Sequence, residues 1–276
     1  MNIDKINRDK LIELEELFSI SYGEKIDIKD ELDYFDETNP NNWFYATDIN
    51  NNLIGFIRSF PFGDNNSFQV EFYGKNLEIE KFLIEYFDNF ETLNSKNKEI
   101  RFCLKKSQNE LLKELNKLKY IDKVEEFIAY EYNNLIKSSK NENIANFVRL
   151  AKNEINEINQ IREVFLEFQD FSIEKIRKFI DNKEIFVYED NSFIKVVSLN
   201  SIYEKYVEII EITVKDIFRK KGYAEKLLNG IISYYSDKII SLKVKSTNIP
   251  AIKLYEKTGF KINLNKTEVW ITKFFK

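Results

Sequence analysis

Residues Val207 to Ala224 read VEIIEITVKDIFRKKGYA, and this stretch decides the fold. A strand is expected to end at Val214. A short connection follows, then Arg219-Lys220-Lys221-Gly222-Tyr223-Ala224, then an amphipathic helix over 223–235 with Ala224, Leu227, Leu228, Ile231 and Ile232 on one face. A glycine where strand passes into helix lets successive N–H groups converge on one point. The helix N-terminus adds about half a positive charge there. Together they suit an anion such as a pyrophosphate, and the basic side chains reinforce the site. Taken alone, Arg-Lys-Lys-Gly is also a common exposed turn.

A second pattern lies downstream. Asn248-Ile249-Pro250-Ala251-Ile252-Lys253-Leu254-Tyr255-Glu256-Lys257-Thr258-Gly259-Phe260 predicts a short capped helix. Thr247 or Asn248 can cap it, Pro250 fits its first turn, and Gly259 can close it in a left-handed conformation. Ala251, Leu254 and Tyr255 share a face. Between the two patterns, Ile240, Leu242 and Val244 alternate as a strand does. Upstream, Ile155, Ile158, Ile161, Val164, Phe165 and Phe168 recur at helical spacing, and a helix over 173–180 and strands near 184–189, 193–200 and 206–214 follow. Two closing strands are expected near 260–264 and 269–272.

The first half repeats this order weakly: a helix over 11–18, a hairpin over 43–60, a strand over 68–73, a helix over 77–87, a strand over 100–104, a helix over 109–117 and an aromatic strand over 127–132. The polar run NNLIKSSKNENIAN, 133–146, separates the halves. Three segments are therefore expected: a domain over 1–134, a linker over 135–145 and a domain over 146–276. The fold class is α+β, with a mixed, mostly antiparallel sheet flanked by helices, occurring twice in tandem.

Composition removes whole classes of chemistry. The 276 residues include no histidine and a single cysteine, Cys103. That excludes a Ser-His-Asp triad, a Cys-His pair, an imidazole zinc site, an intrachain disulfide and a thiolate metal cage. No metal is expected, and acid–base work falls to Asp, Glu, Lys, Tyr or the backbone. The charge of −4, from 42 basic and 46 acidic side chains, argues against nonspecific nucleic-acid binding. Residues 1–18 hold no continuous apolar run, and none of the chain's apolar runs approaches the ~20 residues of a membrane span, so neither secretion nor a membrane partner is expected. A lone free thiol suits a reducing cytoplasm.

With both motifs in view, residues 146–276 resemble the GNAT acetyltransferase superfamily. The resemblance rests on Arg-x-x-Gly-x-Ala at 219–224 and on Asn-x-x-Ala-x-x-Leu-Tyr-Glu-Lys-x-Gly-Phe at 248–260, in the family's order and separation. It implies acetyl-CoA as acyl donor, with its pyrophosphate on Arg219, Lys220, Lys221, Gly222, Tyr223 and Ala224. It implies that Ile212, Thr213 and Val214 pair with the pantetheine and that a backbone N–H near Val214 stabilises the oxyanion. Asn248 and Ala251 would touch the pantetheine, and Tyr255 would lie near the sulfur. The first half resembles a degenerate copy, because Gly74-Lys75-Asn76-Leu77 lacks the basic glycine motif. With Asn109 set against Asn248, Asn116 falls where Tyr255 stands.

Glu208 is the first choice of general base, since it shares strand parity with Ile210, Ile212 and Val214. Glu211, of opposite parity, is the second, and a water relay is a third route. Tyr255 is the candidate acid. The expected function is transfer of acetyl to a primary amine of a small molecule or peptide through a ternary complex, by a monomer or homodimer. The competing functions are an acyl-CoA-binding regulatory module without turnover and an aminoacyl transferase using charged tRNA. The complete motif pair disfavours the former, and the pyrophosphate turn and acidic balance disfavour the latter.

Overall fold

Apolar residues at every second position make strands that bury one face, and those at three- and four-residue steps make helices that cover it. In a computed structural model this pattern builds two compact units. The structure describes residues 1–22, 25–38, 40, 42–62, 64–94, 99–105, 108–117, 121–133 and 147–274. The expected linker, 135–145, lies outside the described residues. One unit is Met1–Phe127 with Leu264–Lys276, and the other is Ile128–Asn263.

The first unit runs β1 (Asn2–Lys5), α1 (Arg8–Glu13), α2 (Glu15–Tyr22), α3 (Ile28–Thr38), β2 (Phe44–Thr47), β3 (Leu53–Phe62), β4 (Asp64–Gly74), α4 (Leu77–Asn94), β5 (Glu99–Lys105), α5 (Asn109–Lys117) and the start of β6 (Lys123–Asn133). Strands β1 to β4 pair antiparallel in sequence order, and β4 pairs parallel with β5. Strand β1 and helix α3 are not among the elements expected from the sequence. For α3 a signal existed: Ile28, Leu32 and Phe35 recur at helical spacing and pack against the buried cluster around Phe18, Trp43 and Phe56.

The second unit runs from residues 128–133 of β6 through β7 (Val148–Leu150), α6 (Ile155–Phe165), α7 (Ile173–Asp181), β8 (Ile185–Asp190), β9 (Phe193–Ile202), β10 (Tyr206–Val214), α8 (Tyr223–Tyr234), β11 (Ile239–Lys245) and α9 (Ile249–Lys257) to β12 (Lys261–Ile262). Here β7 to β10 pair antiparallel in order, and β10 pairs parallel with β11. Each unit thus holds an antiparallel meander ending in one parallel β-α-β step. In the second unit one sheet face packs on α8 and α9 through Val207, Ile209, Leu227, Leu228, Ile231 and Tyr255. The other packs on α6 and α7 through Val187, Val197, Leu199, Ile158 and Ile176. Among the described residues no helix is long and apolar enough to cross a membrane.

The last strand departs from expectation. The sequence places 269–272 at the close of the second half. In the structure, β13 (Glu268–Phe274) belongs to the first unit, between β5 and residues 123–127 of β6, and is antiparallel to both. Its Val269 and Ile271 enter the core that contains Phe102, Leu104 and Leu111. Alternation specifies a strand and its buried face, whereas the partner is selected by long-range packing. Ile271 is fully buried, so Ile271→Ala should cost about 2–4 kcal/mol. Hydrogen exchange should then accelerate in β5 and in residues 123–127 while β8 and β9 keep their protection.

Candidate active site

Strand β10 leaves its parallel neighbour partway along. Its register with β11 covers Tyr206↔Ile239 to Ile209↔Leu242. A bulge then interrupts its pairing with β9 between Ile209 and Glu211, and Glu211 to Val214 continue against Leu199 to Val196. Lys215 donates its N–H to Lys195, so strand alternation turns the N–H and C=O groups of Ile212 and Val214 toward the edge away from β9. This open edge is the one assigned above to the pantetheine.

The bulge also corrects the parity argument for the base. Glu208 pairs with Ser201 and Glu211 with Leu199, which puts both glutamates on the same face of the sheet. Ile212 and Val214 fall on the other face with Ile209, because the extra residue shifts every later side chain. Ile210, counted with Glu208 in the sequence, is the bulged residue and is exposed. Burial pushes the Glu211 carboxyl above the ordinary carboxylate range, and the Thr213 hydroxyl at 3.3 Å and the Ile212 N–H only partly oppose this.

Tyr255, on α9, is 9% exposed and packs beside Tyr130 and Phe260. Its hydroxyl has no hydrogen-bond partner among the described residues. Burial first, and the Glu211 carboxylate second, push its pKa well above the usual phenol value. The Glu211 charge is thus felt at Tyr255. The Asn248 side chain caps α9, accepting from the Ala251 N–H at 3.3 Å, and Ala251 packs against the core. Gly259 is left-handed, as its place after the helix requires.

The turn before α8 has the expected backbone. Gly222 has φ +78 and serves as N-cap, and Lys220 is also left-handed at φ +60. Among the described residues the N–H groups of 222–225 form no hydrogen bond within the chain. An added Cβ at Gly222 would meet nothing within 4 Å, so the turn is uncovered at that point. The residues fit an oxyanion ligand. Lys220 and Lys221 are exposed, and Lys221 lies over the Phe218 ring. Arg219 is engaged otherwise: it donates to the Val214 carbonyl and pairs with Asp216 and Glu167.

Sequence reasoning missed the surroundings of Tyr223. Lys195 lies over the Tyr223 and Phe218 rings and pairs with Asp190, which raises its pKa. Lys226 lies over Tyr188 and Tyr223. Lys195 and Lys226 come from different elements, so no local spacing announces them.

The corresponding places in the first unit are filled by its own side chains. After β4, the Gly74 N–H donates to the Glu80 carboxylate, which also takes Gln108 Nε2 at 2.6 Å. Asn76 caps α4 directly, at 3.0 Å from the Ile79 N–H. A Cβ on Gly74 would sit 2.8 Å from the Glu80 nitrogen, so no space is left there for a ligand. Glu71, the first residue beyond the last parallel pair, matches Glu211 once the bulged Ile210 is left out of the count, and is bound by Arg58 at 3.2 Å. Counted from the start of each helix, Leu115 of α5 stands where Tyr255 stands in α9. The sequence register had put Asn116 there, and the phenol is absent on either count.

Residues 151–260 match the model of the Acetyltransferase (GNAT) family. No curated protein matches the sequence. Among solved structures, the chain is similar to a GCN5-related N-acetyltransferase from Sphaerobacter thermophilus, at TM-score 0.78 and 12% identity over 99% of this chain and 95% of that one. It is also similar to a tandem GNAT protein from the clavulanic acid biosynthesis pathway, at TM-score 0.66 and 9% identity over 99% and 98%. A GNAT-family acetyltransferase from Colwellia psychrerythraea gives TM-score 0.59 and 16% identity over the whole of both chains. These likenesses are of fold and extend over both units. Among the described residues no group of acidic or cysteine side chains is arranged to hold a metal ion.

Glu211 makes the site pH-sensitive. Its raised folded-state pKa means that the folded protein binds the proton more tightly than the unfolded chain does. Its contribution is therefore lost as pH rises from the ordinary carboxylate range through the folded value. Glu211→Gln should raise the melting temperature at pH 8, and the gain should vanish near pH 4.

Proposed function

We propose, residues 151–260 being a domain of the GNAT acetyltransferase family, that the protein is an acetyl-CoA-dependent N-acetyltransferase. It passes acetyl directly to a primary amine of a small molecule or peptide in a ternary complex. One observation carries this reading: unbonded N–H groups at 222–225 stand just beyond a strand whose outer edge has no strand partner from the bulge to Val214. The unit of residues 128–263 carries the donor chemistry, 135–145 act as linker, and the unit of 1–127 with 264–276 is a copy without a donor seat.

The donor supplies an activated thioester. Residues 219–224 hold its pyrophosphate through N–H groups and lysine charge. The open edge over Ile212 to Val214 aligns its amide arm, with Asn248 and Ala251 bordering the path. The Ile212 N–H is shared with Glu211, which leaves the Val214 N–H as oxyanion donor. Glu211 replaces Glu208 as the favoured base, because burial brings its pKa toward that of a working base and it is coupled to Tyr255. It takes the ammonium proton, directly or through water. The amine nitrogen bonds to the acyl carbon and gives its second proton to water, the C–S bond breaks and the sulfur leaves as thiolate.

The raised pKa changes the role of Tyr255. A thiol near pKa 8.5 cannot draw a proton from a phenol held above 10, so the hydroxyl stays protonated. It donates a hydrogen bond to the departing sulfur, and solvent supplies the final proton. Cys103 lies on β5 of the first unit, and an acyl-cysteine step is not part of the reaction.

Thiol release from acetyl-CoA across a panel of amines tests the reading. CoA binding without amine-dependent release would make the chain a binding module. Removing a hydrogen bond to a charged atom costs about 1.5–3 kcal/mol, so Tyr255→Phe should lower kcat by about 10- to 100-fold with CoA affinity kept. Glu211→Gln should cost more kcat than Glu208→Gln, and the reverse order would restore Glu208 as base.

The turn is tested by calorimetry with CoA. Gly222→Val places a branched side chain at positive φ, whereas Lys220→Ala removes one exposed charge. Gly222→Val should weaken binding more. Equal, small losses would remove the turn from the donor site.

A further inference from the structure

Each of the three nitrogens of the Arg219 guanidinium has a partner within the chain. Its Nε donates to the Val214 carbonyl at 3.1 Å, its Nη1 pairs with Asp216 at 2.5 Å, and its Nη2 pairs with Glu167 at 3.3 Å. Two of these partners belong to the segment that leads into the turn and move with it. Glu167 does not. It comes from the turn that ends α6, and its other oxygen accepts the Asp216 N–H at 3.4 Å. Both Glu167 contacts are long, and the Arg219 side chain is half exposed, so this is the weakest of the three attachments.

We propose that Glu167 is an internal anion that competes with the donor's phosphates for Arg219. The inference rests on the function proposed above. Nη2 has a second N–H for a phosphate oxygen, but a phosphate there is repelled by the Glu167 carboxylate on the same nitrogen and binds better once Glu167 is given up, while the Val214 and Asp216 contacts keep Arg219 at the mouth of the turn. The exchange swaps one charge-assisted pair for another and costs little. Glu167 therefore weakens the hold on CoA, as donor and as product, without touching the reacting atoms. Glu163, four residues earlier, pairs with Lys215 at 2.9 Å and makes no contact with Arg219. It offers the same charge change one helical turn away.

The test is calorimetric titration of the full chain with CoA and with pantetheine, which lacks the phosphates. Glu167→Gln should tighten CoA binding by about threefold, the scale of an exposed ion pair. Glu163→Gln should leave CoA affinity within about 1.5-fold, since it frees no donor of Arg219. Pantetheine affinity should be the same in all three proteins. Unchanged or weaker CoA binding by Glu167→Gln overturns the proposal. An equal gain from Glu163→Gln also overturns it, because the effect would then be general electrostatics. A gain that extends to pantetheine overturns it too. Glu167 is on the surface and glutamine is isosteric, and matched melting curves check that each variant is folded. Failure of the wild-type chain to bind CoA at all would instead sink the proposed function, and this inference with it.

Discussion

Strand β10 is held on both edges only as far as Ile209, and the rest of the site depends on that release. Up to Ile209 it bonds to β11 in parallel register, and beyond the bulge it keeps only β9. An unpaired strand edge is ordinarily a liability, since its N–H and C=O groups invite another chain. Here it is short, lies inside a sheet and leads straight to the helix N-terminus at Gly222. The bulged residue turns Glu211 to the face of Glu208, and burial there raises its pKa. One irregularity thus accounts for the open edge and for the placement of the carboxylate.

The first unit shows what the same scaffold becomes without these features. Its strand β4 also parts from β5 after a short parallel register, but no bulge follows at that point. Glu71, in the place of Glu211, is bound by Arg58, whose side chain is almost fully buried and lies over the Phe18 ring at 4.5 Å. The strand-to-helix turn is short, and Glu80 occupies the point where an anion would sit. At Gly74, Ile79 and Glu71, groups of the kind that could serve a ligand in the second unit are answered by side chains of the first unit itself. Such internal satisfaction stabilises a fold and removes a binding site together, because a buried donor or acceptor must be paired by something.

Charge around the turn is arranged in two tiers. The backbone N–H groups at 222–225 are fixed by the helix and cost no reorganisation when an anion arrives. Three of the basic side chains are partly committed: Arg219 to Val214, Asp216 and Glu167, Lys221 to the Phe218 ring, and Lys226 to the rings of Tyr188 and Tyr223. The site therefore relies on the backbone for geometry and on adjustable side chains for strength.

Apart from β7, the sequence by itself determined the elements from α6 to α9 and the two motifs, because their signals are local. Alternation at Ile240, Leu242 and Val244, the Asn248 cap, and the glycines at 222 and 259 each act within a few residues. It also determined the absence of imidazole and disulfide chemistry, which follows from counting. Tertiary structure decided what depends on partners distant in the chain. The bulge at Ile210 arises from how β10 must meet β9, and no residue type in EIIEI announces it. The partner of β13 was set by the core around Phe102 and Leu104, since alternation defines a buried face but not the strand beside it. The pKa values of Glu211 and Tyr255 likewise had no sequence signal, because desolvation belongs to the packed protein and not to either residue.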